Sequence, residues 1–133
     1  ALIAMLEHAS PGSEREILNR IAEQNVSLAR ELKRIYVTFD ELPDVPDRLL
    51  ADVLRGIDRE VIVKGLTGAP AAVKTKVLAN IPARLRVMVD DEVKVREQSD
   101  DPAAVADAPA ARRVIMQRVR DELRRLRARA EVA

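Results

Sequence analysis

The chain has 133 residues, 47% of them hydrophobic, which is enough for one compact domain or two small helical units and too apolar for a disordered tail. A formal net charge of +1 excludes both a globally basic nucleic-acid binder and an acidic tail, so any electrostatic role must come from local arrangement. Aromatics make up only 2% and there is no Trp or Cys, which leaves Leu, Ile, Val, Met and Ala to build a thin core of closely packed short helices.

The absence of Cys fits a reducing, cytosolic compartment and removes thiolate nucleophiles, disulfides and Cys-containing zinc sites. No apolar run reaches the roughly 18 residues of a membrane span. The opening ALIAMLEHAS is short and lacks a basic leader, so a signal peptide is not expected. A start at Ala rather than Met is expected of a fragment or a processed product.

In chain order, Ser13 and Glu16 have the spacing of a capping box, with Ile17, Leu18 and Ile21 on one face of the helix they open. Asn25 is expected to cap the next helix, whose Leu28, Leu32 and Ile35 recur at spacings of three and four. The stretch IYVTFDELPDVPDR then holds the only Tyr (Tyr36) and the only Phe (Phe39) of the chain. Three positions apart, they would meet on one helical face.

Pro46 and Asp47 start a third helix with a broad face of Leu49, Leu50, Val53, Leu54 and Ile57. Asp58 is placed as N-cap of REVIVKGL, which stops near Gly68. Pro70 restarts the chain through Val73, Val77 and Leu78, and Pro82 opens a helix to about Gln98. Asp101-Pro102 marks a boundary, DPAAVADAPAA reads as a weak helix or a linker, and an Arg-rich helix follows from about Ala110 to Arg129. No strand and no glycine-rich loop is expected, so the fold class is all-α, with short helices stacked as in an α-solenoid.

Chemistry is sparse. His8 stands alone, without a second His at ligand spacing. Asp90, Asp91 and Glu92 are consecutive, and neighbouring helical side chains point about 100° apart, so they do not converge on one ion. With no phosphate-cradling loop either, neither an enzyme, a metal site nor a cofactor is expected. In the Arg-rich end, Ile115, Val119, Leu123 and Leu126 form a narrow apolar stripe, with arginines spread over both flanks and interrupted by Asp121 and Glu122. No aromatics interleave them, which argues for a solvated helix docked by its stripe rather than a nucleic-acid surface.

On the helix after Pro82, Leu85, Met88, Val89 and Val93 share one arc, opposite Arg84, Arg86, Asp90, Asp91 and Lys94. Arg86, Asp90 and Lys94 form an i, i+4 ladder, and Arg84 and Asp91 lie on nearly one line. Such a face is either a solvated surface or a mixed-charge docking face that sets register with a partner.

The series EREILNRIAEQNVSLARELKRIYVTFDEL, DRLLADVLRGID, LTGAP and KVLANIPARLRVMVDDE resembles, in order, the C-terminal region of the bacterial flagellar motor switch protein FliG. Tyr36-Val37-Thr38-Phe39 falls on the family's Met-Phe-x-Phe hinge, followed by its acidic pair and Leu. The resemblance implies armadillo-like helices in a right-handed superhelix plus hinge over residues 1–42, then a helical torque domain over 43–133.

It also implies a cytoplasmic rotor protein, peripheral to the inner membrane at the flagellar basal body. Its partners would be FliM-like switch proteins, a MotA-like stator cytoplasmic loop and neighbouring copies, with no nucleic acid and no membrane insertion. The family's charged stator-facing residues fall on Arg84, Asp91 and Glu92. The family lysine falls on Thr67, which leaves Lys64, one turn earlier, as its replacement. Tyr36 and Val37 stand where Met and Phe are usual, a Gly-Pro-Val-Arg turn is replaced by VREQSDDPAAVADAPAA, and the Glu-His-Pro-Gln signature is not in the chain. An alternative is a passive scaffold related to the FliG-like intracellular domain of the magnesium transporter MgtE, and a third is nucleic-acid binding through the Arg-rich helix.

Overall fold

The computed structural model describes residues 2–132, the side chain of Val132 aside, and among them every regular element is helical. The protein is all-α. It divides into two compact units, Ala1–Val37 and Thr38–Ala133.

The first unit contains α1 (Leu2–His8), α2 (Pro11–Gln24) and α3 (Val26–Ile35). The start of α2 lies earlier than the Ser13 capping box implies. Ser10 is the N-cap, its Oγ accepting the Ser13 N–H at 3.3 Å. Pro11 explains the shift, because a residue with fixed φ and no N–H suits the first helical position. Asn25 behaves as expected and also closes α2: its N–H donates to Ile21 O at 2.8 Å while its Oδ1 accepts the Leu28 N–H at 3.0 Å. Among the described residues of this unit the buried side chains are Leu6, Leu32 and Tyr36, and Leu28 is exposed.

The second unit begins with a 3-10 helix, Phe39–Asp44, followed by α4 (Asp47–Arg55), α5 (Arg59–Leu66), α6 (Ala71–Ala79), α7 (Ala83–Gln98), α8 (Ala103–Ala106) and α9 (Ala108–Val132). Pro46, Pro70 and Pro82 directly precede α4, α6 and α7, with φ of −56°, −57° and −57°. Each supplies an extended lead-in and accepts an N–H from the first turn on its carbonyl. Asp58 occupies the N-cap of α5 through its carbonyl, which accepts from Val61 and Ile62, and its carboxylate makes no capping bond.

The core is aliphatic. Leu42, Leu50, Ile62, Leu66, Val73, Val77, Val89, Ile115 and Val119 are sealed from water. α9 packs along α5 and α4, α7 packs on α5, and α6 packs on the 3-10 helix. The α5–α9 crossing depends on Gly65, where a Cβ would lie 2.9 Å from Ile115 Cδ1. Gly68, at φ +74°, turns the chain out of α5 in the left-handed conformation that suits glycine. The apolar stripe of α9 is deepest at Ile115 and Val119 and runs out toward the end, where Leu126 is exposed.

Two wheel expectations for α7 change. Met88 is 40% exposed although it shares the arc of the buried Val89 and Val93. Arg86 does not join the charge ladder: its Nε donates to Leu78 O at 2.7 Å and an Nη to Ile81 O at 3.2 Å. These carbonyls lie at and just beyond the C-terminal end of α6, where orphan carbonyls and the negative dipole end attract a cation. The other half of the ladder forms, with Lys94 Nζ 2.9 Å from Asp90.

Candidate functional site: a charged groove between α5 and α7

Arg59, Glu60, Val63 and Lys64 line one edge of α5, and Asp91, Glu92, Val95 and Arg96 line the facing edge of α7. Their spacings of three and four stack each set along one helix edge. Between them runs an open groove of about 530 Å³. Its floor carries Val63, and Val95 is 68% exposed at its rim.

Each wall carries both signs of charge. Lys64 Nζ is 2.9 Å from Glu60 and 3.7 Å from Asp107. The Glu60 hydrogen bond raises the Lys64 pKa against the opposing effect of burial, and the same bond lowers that of Glu60. Arg59 reaches Glu92 at 3.5 Å, linking the two walls. Arg96 donates to Ala104 O at 2.7 Å and lies 3.9 Å from Asp107, so α8 and its C-cap residue stand at one end of the groove. The Arg96 Nε is buried without a hydrogen-bond partner.

Three of the four residues expected on a charged face, Lys64, Asp91 and Glu92, meet at this groove. Arg84 stands apart, exposed in the first turn of α7. Arg84 and Asp91 make no ion pair or hydrogen bond among the described residues, whereas Lys64 and Glu92 are paired. The acidic run divides three ways: Asp90 pairs with Lys94, Glu92 with Arg59, and Asp91 is exposed at the open groove. Among the described residues no group of His, Cys, Asp and Glu is placed to hold a metal ion, and no helix is long and apolar enough to cross a membrane. Thr67 is 1% exposed, and its hydroxyl donates to Val63 O at 2.8 Å, so it is a buried helix-end residue.

The aromatic pair does not share a helical face, because the backbone is extended between its members. Tyr36 ends α3 in the first unit and its hydroxyl donates to the Glu14 carboxylate. Phe39 opens the 3-10 helix of the second unit, so the unit boundary falls between Val37 and Thr38. The Glu41 carboxylate accepts the Thr38 N–H at 3.0 Å and its hydroxyl at 2.8 Å. Over the Phe39 ring lies the Arg112 guanidinium, 4.7 Å from the centroid.

Arg59, Glu60, Arg96, Asp107 and Arg112 are absent from the sequence expectation. The i, i+4 spacing of Glu60 and Lys64 is the one signal that points to any of them. The others come together only through tertiary packing. In α9, Arg124 pairs with Asp121 at 2.7 Å and Arg125 with Glu122, so these two of the eight arginines of the helix are paired along it.

The family profile described as FliG C-terminal domain matches residues 19–125. The flagellar motor switch protein FliG of Pseudomonas aeruginosa is 24% identical over 112 residues, 84% of this chain and 32% of that protein. That of Thermotoga maritima is 28% identical over 82 residues, 62% of this chain and 24% of that protein. The chain therefore spans about a third or less of the length of these relatives. In fold it is similar to a crystal structure of FliG residues 86–343 from H. pylori, with a TM-score of 0.59 at 18% identity, covering 94% of this chain and 57% of that one. With the profile matched over most of its length, the chain belongs to the FliG C-terminal domain family.

Proposed function

We propose that this chain works on the rotor side of a bacterial flagellar motor switch complex, by protein–protein contact and without catalysis. The observation that carries this reading is the family match over residues 19–125. It is supported by a surface where α5 and α7 bring charges of both signs to one groove. In this reading Arg84 and Asp91, the two of the four expected residues without an ion pair or hydrogen bond among the described residues, contact a MotA-like stator loop, while Lys64 and Glu92 stand in pairs that frame the contact. Exposed ion pairs contribute about 0–1 kcal/mol each, which suits a contact made and broken repeatedly. Their mixed signs set register more than affinity.

Residues 36–39 act as the hinge between the two units. FliM-like switch proteins and neighbouring copies are the further partners, and the place of action is the cytoplasmic face of the inner membrane at the flagellar base. The test is a double charge reversal, Arg84→Asp with Asp91→Arg, in the chromosomal gene of the source bacterium. Impaired swimming with an unchanged thermal melt of the purified protein is the expected result. Unchanged swimming removes the torque-face assignment.

A further inference from the structure

Arg112 makes three contacts that join distant parts of the second unit. Its Nε donates to Gly65 O at 2.8 Å, an Nη donates to Thr67 O at 2.9 Å, and its guanidinium carbon lies over the Phe39 ring. The carbonyls are those a helix leaves orphaned at its C-terminus. Around them the accounting is local: Val63 O takes the Thr67 N–H at 3.1 Å and Leu66 O takes the Ala69 N–H at 3.0 Å. Gly65 O and Thr67 O are served from α9, by one side chain.

We propose that Arg112 is a positioning residue through which the Phe39 ring sets the α5 wall of the charged groove. A guanidinium is a planar fork, so its in-plane donors and its stacking face are used together. The ring fixes the plane, and the plane aims the two donors at α5. Lys64 is covalently next to Gly65, so the carbonyl that Arg112 holds sits one peptide from the groove cation. A lysine at 112 offers a point charge without a stacking plane and cannot serve ring and fork at once. The proposal takes its biological meaning from the reading of the groove as a docking surface. The link itself is a property of the second unit alone.

The test is amide hydrogen exchange by NMR on the whole chain, for the wild type, Phe39→Leu, Arg112→Lys and the double variant. Phe39→Leu is expected to speed exchange at Thr67 and Ala69 by about three- to tenfold, the range of a partly buried cation–π contact. The amides of Val89 and Val93 in α7 stay unchanged, and the Lys64 Cε resonance shifts. In the Arg112→Lys background the second substitution adds nothing, because the link is already cut. Unchanged Thr67 and Ala69 exchange in Phe39→Leu overturns the proposal, as do multiplying effects in the double variant. Uniform acceleration across the second unit also overturns it, since that marks Phe39 as an ordinary core residue. If Arg112→Lys does not fold, the single variant decides. Swimming is not read, so failure of this link and failure of the docking reading are separate results.

Discussion

The Glu97 carboxylate accepts the backbone N–H of Gly68 at 2.7 Å and also binds Lys74 Nζ, so the last turn of α7 clasps the loop between α5 and α6. Burial alone would raise the Glu97 pKa, but Lys74 and the Gly68 N–H outweigh it and hold the group below its ordinary 4.5. A carboxylate depressed in the folded state stabilises the fold at pH above its unfolded value. That contribution is lost as pH falls through the folded value. Thermal melts should therefore show Glu97→Gln less stable by about 1 kcal/mol at neutral pH. The variant should also lose less stability than the wild type between neutral pH and about pH 3. Parallel curves for the two proteins contradict the clasp.

The arginines of α7 should separate cleanly. Arg86→Ala leaves carbonyls at and beyond the end of α6 unsatisfied and should cost about 1 kcal/mol in chemical denaturation. Arg84→Ala, an exposed residue without a partner among the described residues, should stay within about 0.5 kcal/mol of the wild type. Equal costs for the two would undo the assignment of one to structure and the other to surface.

Gly65→Ala pits two effects of similar size. Helix propensity improves by about 1 kcal/mol. Overpacking against the sealed Ile115 costs about 1–3 kcal/mol. The single variant should be destabilised, and Ile115→Val, which removes the clashing Cδ1, should recover about 1 kcal/mol beyond additivity. A double-mutant cycle closing to zero refutes the tight crossing.

Tyr36→Phe deletes the hydroxyl that donates to Glu14 and should weaken the first unit by about 1 kcal/mol. Faster amide exchange in α2, with α5 and α9 unchanged, is the expected pattern. Slower or unaltered exchange in α2 rejects it.

Local signals carried the helical outline. Pro46, Pro70, Pro82 and Asn25 act within a few residues of where they stand, so their effect on α4, α6, α7 and α3 is legible in the chain itself. Pro11 is an equally local signal that the Ser13–Glu16 spacing masks, and it sets the start of α2 because its ring suits the first helical position. Arg86 and Arg112 were not legible. Their partners are carbonyls, which every residue carries, so no residue type marks the destination. The groove was half legible: Lys64, Asp91 and Glu92 came from register with a family, while Arg59, Arg96 and Asp107 needed α5, α7 and the end of α8 to be brought together.

The missing side chain at position 65 also dictates an order of evolutionary change. Ile115 can shrink to Val at modest cost while residue 65 is still Gly, leaving space for a methyl to arrive later. The reverse order passes through an intermediate in which alanine at position 65 clashes with an intact Ile115, and it is disfavoured. Homologues of this chain with alanine at 65 should therefore carry a smaller residue at 115, and their common ancestor should show the 115 change first.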